Sequence, residues 1–537
     1  MSSESLHPPN ARNQTEVFAV HGADPEILAF AMAKYSRSAL SMRESLAEIS
    51  SQRAEQFLNT FYFQYGHRSI ADLAHVAFAI ERLSLLAAIA VVDETRWDGQ
   101  ERSTRYQNFR ESGWYFPDFS ADPAARNLYA QTIDKLFAAY QRTGEAVADL
   151  LRRRVPRPDD IKPETYERTL RARAFDVARY LLPLATNTSL GQIVSARTLE
   201  TQVSRLLSHP AAEVRLIGEK LREAATGPAW NLNARAAQAF VQKLDALKAP
   251  GARELAAEAA RLFTRDVRTA PTLVKYAQPS RYLVQTQADL AQAAAEVLKD
   301  NPPAAAPLVD LVERTETLEV EIAATLLYSV SHHPYRQIRD VLAGLPAARS
   351  AEIAELGLRH RGPHDEALRP FRAGAALRFD ILMDIGGFRD LHRHRRCTQI
   401  VQRFTARHGY ETPGSGDLPA SPEGHPDILA EAGVLSDFCA AIKSAHLAAG
   451  VVAASDAPEA VQSAAYLLPL ATRIRALFKM DFAEAQYISE LRSAPAGHFS
   501  YRRVAWEMFL KLQRQYPSLA RHIRVTDFTQ PIDIFKR

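Results

Sequence analysis

The densest group of cations in this sequence is the run LHRHRRCT, Leu391 to Thr398, in which Arg393, His394, Arg395 and Arg396 follow one another without an intervening acid. Planar guanidiniums make paired, charge-assisted hydrogen bonds to phosphate oxygens that an ammonium cannot reproduce. The run therefore suits a phosphate-bearing ligand, and it suits equally the solvated basic face of a helix. Metal binding is disfavoured, because His392 and His394 at a spacing of two do not share one side of a helix. Other charged residues with chemical potential lie elsewhere: QERSTRY from Gln100 to Tyr106, Arg179 ahead of an apolar heptapeptide, Arg205 with His209, and Arg492. Each has an ordinary structural explanation. Glu101 and Arg105 have the spacing of a helical ion pair, and Arg205 with His209 that of a solvated helix face.

A strand running into a helix would position such groups. HVAFAIE from His75 alternates as a half-buried strand does, and it leads into the apolar segment 83–92. LRFDILMDI from Leu377 alternates similarly; Gly386 and Gly387 are then expected to break it before a helical stretch carrying HRHRR. This parallel is part of a longer repeat. YLLPLAT occurs at Tyr180 to Thr186 and again at Tyr466 to Thr472, an offset of 286 (466 − 180), and RLLSHP from Arg205 matches RSAPAGH from Arg492 at 287 (492 − 205). YGHRS around His67 has a looser counterpart around His364. The spacing predicts two homologous modules, 1–298 and 308–537, joined by a Pro/Ala-rich stretch, with an Ala-rich helical insertion around 213–265 in the first. Ala/Leu/Arg/Glu-rich segments elsewhere make the expected class α+β with helix dominant. Glu411 to Pro426 reads as a polar loop.

Composition narrows the function classes. Hydrophobic residues at 47% and charged residues at 24% are those of a soluble globular protein, and a net charge of +4 gives no general reason to expect nucleic acid. Two cysteines, Cys397 and Cys439, build no disulfide framework. The opening residues lack a signal peptide's pattern and the longest apolar run is too short to span a bilayer, so a cytoplasmic location without membrane association is expected.

Arg393-His394-Arg395 entering a helix after a strand resembles the signature of the flavin-dependent thymidylate synthase family, with Thr398 in its serine-like place. The next family block, which cradles deoxyuridylate, is absent after Thr398 but is matched in the first half by Gln100, Glu101, Arg102, Ser103, Thr104, Arg105 and Tyr106. There, conversely, Asp93, Glu94 and Thr95 stand where Arg-His-Arg would be. Gly66 to Ser69 resembles the family's flavin-touching Gly-His-Glu-Ser/Thr motif, with Arg68 replacing the acid, and Ser195-Ala196-Arg197 resembles its Asn-Ala-Arg flavin segment. Arg179 stands where the family has an arginine on the substrate. Arg205 resembles the arginine that stabilises ionised uracil, and Arg492 is its second-half counterpart; Arg179 has become Ala465 in that half.

The resemblance implies two helix-rich α+β synthase-like modules in tandem, with the family signature split between them. It implies reductive methylation of deoxyuridine monophosphate with methylenetetrahydrofolate as carbon source, FAD as cofactor and NADPH as reductant. By the same carry-over, Arg205 has the catalytic role. Gln100, Glu101, Ser103, Thr104, Arg105, Arg179 and Arg492 bind substrate, and His67, Ser69, Ser195, Arg197, Arg393, His394 and Arg395 bind the flavin. Because the family assembles four modules with active sites between subunits, a fused pair is expected to form a homodimer. A flavin- or nucleotide-binding protein that kept the fold and lost the chemistry is the alternative.

Overall fold

Alternating residues make β1 (His75–Ser84) a half-exposed strand, and Ser84 ends it by accepting a hydrogen bond from the N–H of Ala87 (2.9 Å), which caps the helix Leu85–Val92. The second half repeats the device. The Asp384 carboxylate, at the end of β5 (Leu377–Asp384), accepts from the N–H of Gly387 (2.7 Å) and starts the helix Ile385–Leu391. The glycine pair thus lies inside the helix instead of breaking the chain ahead of it, and His392 to Arg396 follow in turns. Close approach explains the glycine: a Cβ on Gly387 would stand 2.6 Å from the Ser500 hydroxyl and 3.0 Å from the Met383 methyl. This computed structural model describes residues 24–34, 68–231, 233–275, 277–313, 315–362, 365, 367–413, 428–530, 533 and 535. His67, His364 and most of the 411–426 loop lie outside the described residues.

The chain divides into two units. The larger (77–194, 201–221 and 277–537) holds two sheets. One has the order β1-β3-β2, with β2 (Asp98–Glu101) antiparallel to β3 (Asn187–Ser195) and Gln100 opposite Gly191. The other has the order β4-β5-β7-β6, with β4 (Val309–Leu311), β6 (Thr398–Val401) and β7 (Arg473–Met480). Unlike β1, β5 is central in its sheet, with the helix Phe499–Gln515 packed against it, and is buried along nearly its whole length. Its polar residues meet ionic partners instead of water: Arg378 pairs with Glu316, Asp380 with Arg475 (2.9 Å), and on β7 Lys479 pairs with Glu321 (2.6 Å). Removing one partner from such a pair leaves an uncompensated buried charge; Asp380–Arg475 thus ties β5 to β7, and the other two pairs anchor the strands to the segment 316–321. Leu326, Leu327 and Ile338 from the helices Leu318–Tyr328 and Tyr335–Ala343 pack in one core with Ile400 and Leu477 of the sheet.

The two copies of YLLPLAT meet face to face. Pro183 and Pro469 form an antiparallel bridge; the N–H of Leu184 bonds to the carbonyl of Leu468, and the N–H of Leu470 bonds to the carbonyl of Leu182, both at 2.9 Å. These bonds interconvert when the halves are exchanged at an offset of 286, which defines a local pseudo-twofold axis through the prolines. Flanking contacts obey it. The N–H of Leu85 reaches Thr186 and that of Ile385 reaches Thr472; the N–H of Arg102 reaches Ser189 and that of Gln402 reaches Arg475; Gly113 and Gly409 both have φ near +70°. The buried polar pair beside the axis is also repeated, with the partners' chemistry exchanged: Ser84 bonds Glu213 (2.6 Å), whereas Asp384 is bonded by Ser500.

The smaller unit comprises 1–76, 195–200 and 222–276. Its described parts include the helices Pro25–Lys34, Ala234–Asp245 and Ala252–Phe263, the last two supplying much of the expected helical insertion. Glu26 accepts from the N–H groups of Thr272 and Leu273, and Arg265 pairs with Asp24. Helix dominates both units, so the fold is α+β and helix-rich. One helix of the larger unit, Leu435–Ala453, is long and apolar enough by composition to cross a membrane; it packs against the 32-residue helix Pro123–Arg154.

Candidate anion site

Arg105 lies beyond the end of β2, in a turn and not on a helix, so it makes no ion pair with Glu101. Its guanidinium forms a two-bond pair with Asp176 (2.6 and 2.9 Å) and donates to the Tyr501 hydroxyl (3.1 Å) and the carbonyl of Ala496 (3.2 Å). Burial alone would lower the Arg105 pKa, and Asp176 outweighs it and raises the value well above the ordinary one. Glu101 instead pairs with Arg389, so the QERSTRY segment of the first half is tied to the helix preceding the Arg-His-Arg run of the second.

Arg179 follows the helix Pro163–Ala178 and is 2% exposed. Its Nη1 lies 3.5 Å from Asp390, while Nε and Nη2 are buried without a hydrogen-bond partner among the described residues. Unmatched guanidinium donors in a buried site are costly unless a ligand meets them. Asp390, three residues before Arg393, is the acid at the centre of this group. Burial pushes its carboxyl up, but the charges of Arg179, Arg105, Arg393 and Arg492 together hold it below the ordinary carboxylate range. Arg492 donates from Nε to Nε2 of His394 (2.8 Å) and stands with its guanidinium 5.5 Å from the Tyr501 ring centre. His394 is buried and also faces Glu484 (3.4 Å); desolvation lowers its pKa, in keeping with a neutral ring that accepts from Arg492.

Arg395 points the other way, its guanidinium 4.6 Å from the Trp97 ring centre, with Nε and Nη2 buried and unpaired among the described residues. Burial and the neighbouring Arg393 lower its pKa. With Arg393, His392, Arg389, Glu101, Trp97, Gly99, Ile89 and Val92 it lines a narrow cleft open to solvent. Unmatched guanidinium donors at its rim suit an anionic group such as a phosphate.

The structure therefore brings Glu101, Arg105, Arg179, Arg492, Arg393, His394 and Arg395 into one neighbourhood drawn from both halves. Gln100 is exposed on β2, Ser103 accepts from the N–H of Arg105 (3.3 Å), and Thr104 is buried beside them. Arg205 is engaged elsewhere, by Glu94 at 2.9 Å. Beside it Asp93 pairs with Arg369 and faces His392 at 3.4 Å. Burial raises the Glu94 carboxyl, partly offset by Arg205; burial also acts against the Asp93 charge, but Arg369, His392 and Arg205 hold that carboxyl low. In the smaller unit the Ser195 hydroxyl bonds Thr198 (3.2 Å) and Arg197 pairs with Asp72 (3.0 Å). Ser69 lies in the short 3-10 helix Arg68–Asp72, and His67 lies outside the described residues. Sequence reasoning missed Asp176, Asp390, Tyr501 and Trp97. Only Asp390 carried a local signal, its spacing of three from Arg393. Cys397, although among cations, has its thiol pushed up to about 12 by burial and stays protonated.

The fold is a duplicated, helix-rich α+β architecture whose two copies jointly build an arginine-lined site. The sequence profile of the thymidylate synthase complementing protein family matches residues 17–229 and 310–518, and the chain belongs to that flavin-dependent family. Similar proteins share the full tandem length. A UPF0159 protein of Chlamydia muridarum is 27% identical, covering 94% of this chain and 91% of its own. A UPF0159 protein of Chlamydia pneumoniae is 25% identical, with 96% and 92% covered. A third, from Thermoplasma acidophilum, is 24% identical, with 92% and 94% covered.

Proposed function

We propose that this protein is an FAD-dependent thymidylate synthase that methylates deoxyuridine monophosphate reductively, with methylenetetrahydrofolate and NADPH as co-substrates. The observation that carries the reading is the convergence of Arg105, Arg179 and Arg492 on Asp390, with a separate pocket at Trp97 and Arg395. Two ligands need two sites. Arg179, with two unmatched buried donors, would grip the nucleotide phosphate, and Arg105, tied to Asp176, would add its charge beside it without a direct bond. A cation of the repeat-related pair Arg205 and Arg492 would favour the N3-deprotonated uracil by lowering its pKa. Arg393 and Arg395 would neutralise the cofactor's pyrophosphate, with the Trp97 ring holding the Arg395 guanidinium in place. FAD, when bound, would supply the redox chemistry. No cysteine nucleophile is required, which suits the protonated Cys397.

The modules are taken to run 1–298 and 308–537, and two chains would rebuild a four-module assembly. Light scattering near twice the 59.7 kDa of one chain, in a cytoplasmic protein free of membrane, is the expected result. A second reading, a flavin- or nucleotide-binding protein without turnover, is favoured by one observation: Asp93, Glu94 and Thr95 replace one copy of Arg-His-Arg. The deciding experiment is the absorbance of the purified protein at the flavin bands, then NADPH oxidation with and without the nucleotide and the folate. A colourless protein that takes up no FAD rejects both readings; a yellow one that makes no thymidylate selects the binder.

A further inference from the structure

The pseudo-twofold axis through Pro183 and Pro469 allows each residue of the anion site to be compared with the one that occupies its place on the other side. Matched backbone bonds set the register: Leu184 with Leu470, Leu85 with Ile385, and Arg102 with Gln402. At the first offset Arg179 corresponds to Ala465; at the second Asp390 corresponds to Ala90, and Arg393, His394 and Arg395 correspond to Asp93, Glu94 and Thr95. Three residues beyond the third pair, Arg105 corresponds to Thr405. One residue type survives on both sides, the arginine at 205 and 492.

Their environments are opposite. Arg492 leans on a neutral imidazole at 2.8 Å, so its charge is left for a ligand. Arg205 stands against the carboxylate of Glu94 at 2.9 Å, and Glu94 occupies the position equivalent to His394. Around Arg492 are Arg105, Arg179 and Arg393, four cations in all, with the carboxylates of Asp176, Asp390 and, behind His394, Glu484 compensating part of the charge. Around Arg205 the cations Arg205 and Arg369 are matched one for one by Glu94 and Asp93. A ligand anion entering there would have to displace a carboxylate already bound within the chain.

Resting on the nucleotide reading above, we infer that each chain builds one nucleotide site and not two: the copy around Arg492 takes the phosphate-bearing pyrimidine, and the copy around Arg205 is permanently filled by the chain's own Glu94. The carboxylate stands in for the ligand. The working site is thus composite, taking Arg179 from the first half and Arg492 from the second, with Arg105, held by Asp176, as a positioning residue beside them, and Arg492 is the member of the repeated pair that meets the nucleotide.

Equilibrium dialysis of the intact protein with deoxyuridine monophosphate tests this directly. One nucleotide per chain is expected. Two per chain would overturn the inference while leaving the nucleotide reading intact, and none would overturn both. The variants Arg492→Ala and Arg205→Ala discriminate further: the first should weaken binding by about ten- to a hundredfold, the loss expected for a charge-assisted hydrogen bond, and the second by less than about threefold. The reverse order would overturn the assignment. Arg492→Lys, which keeps the charge and loses the planar fork, guards against a folding defect, and an intermediate affinity is expected for it; affinity equal to that of the unsubstituted protein would also count against the assignment.

Discussion

Arg395 lies with its guanidinium 4.6 Å from the centre of the Trp97 ring, a contact that joins the cationic turn of the second half to the approach of β2 in the first. Two of its donors are buried and unmatched among the described residues. In Arg395→Ala, the affinity for FAD measured by quenching of flavin fluorescence should fall about ten- to a hundredfold, equivalent to about 1.5–3 kcal/mol. Arg393→Ala should behave similarly. An unchanged dissociation constant in both would remove these residues from the cofactor's grip.

Asp384 gives a pH signature. Burial pushes its carboxyl from 3.8 up to about 6, partly offset by the Ser500 hydroxyl and Arg179. The folded state therefore holds the proton more tightly than the unfolded chain, and the associated stability is full below about pH 4 and lost as pH rises through 6. At 1.36 kcal/mol per pH unit this amounts to about 3 kcal/mol. Asp384→Asn keeps the cap on Gly387 and removes the titration. Urea midpoints should then diverge between pH 4 and 6.5, the unsubstituted protein losing ground to the variant; parallel curves would refute the assignment.

The Arg105–Asp176 pair, with side chains 9% and 2% exposed, is a stability element as well as a positioning one. Asp176→Ala leaves the buried guanidinium of Arg105 uncompensated, removes a charge 3.9 Å from that of Arg173, and should cost about 3–5 kcal/mol by chemical denaturation. Combining it with Arg105→Met should recover part of that loss without restoring nucleotide binding. If the double variant is as unstable as the single one, packing and not charge is responsible.

Gly99 lets β2 press close to β3. A Cβ there would stand 2.3 Å from the carbonyl oxygen of Gly191 and 2.5 Å from the Trp97 ring. Since a backbone carbonyl cannot swing aside, Gly99→Ala should cost about 1–3 kcal/mol and shift Trp97, whose Nε1–H now bonds Gln192 at 2.7 Å. A change in tryptophan emission with weaker FAD uptake is expected.

The repeat, the strand-to-helix order and the arginines were legible in the sequence because each is a local pattern. YLLPLAT announced the pseudo-symmetry through simple identity, yet nothing in the heptapeptide said that its two copies would bond to one another. Glu101 and Arg105 have the spacing of a helical pair, but the chain leaves the helical state at β2, so each found a partner far away in sequence, Arg389 and Asp176. LRFDILMDI alternates on paper; its polar members are nevertheless buried, because Glu316, Glu321 and Arg475 arrive from other segments to neutralise the strand pair. Long-range ionic partners leave no trace in spacing. Asp390 was therefore overlooked although it lies three residues from Arg393.

Asp93, 3.4 Å from His392, stands at the place equivalent to Arg393, a pairing of opposite charges that an assembly of identical subunits, with the same residue at both places, could not hold. There, every substitution is inherited twice, and an acid near a twofold axis confronts the same arrangement turned about. Covalent fusion removes that bookkeeping. Position 93 could become acidic while its counterpart at 393 stayed basic, and each change was tried against a partner of a different kind. Joining the copies in one polypeptide thus gave selection independent control of the two sides of a contact, which is what lets one side specialise while the other turns into scaffold.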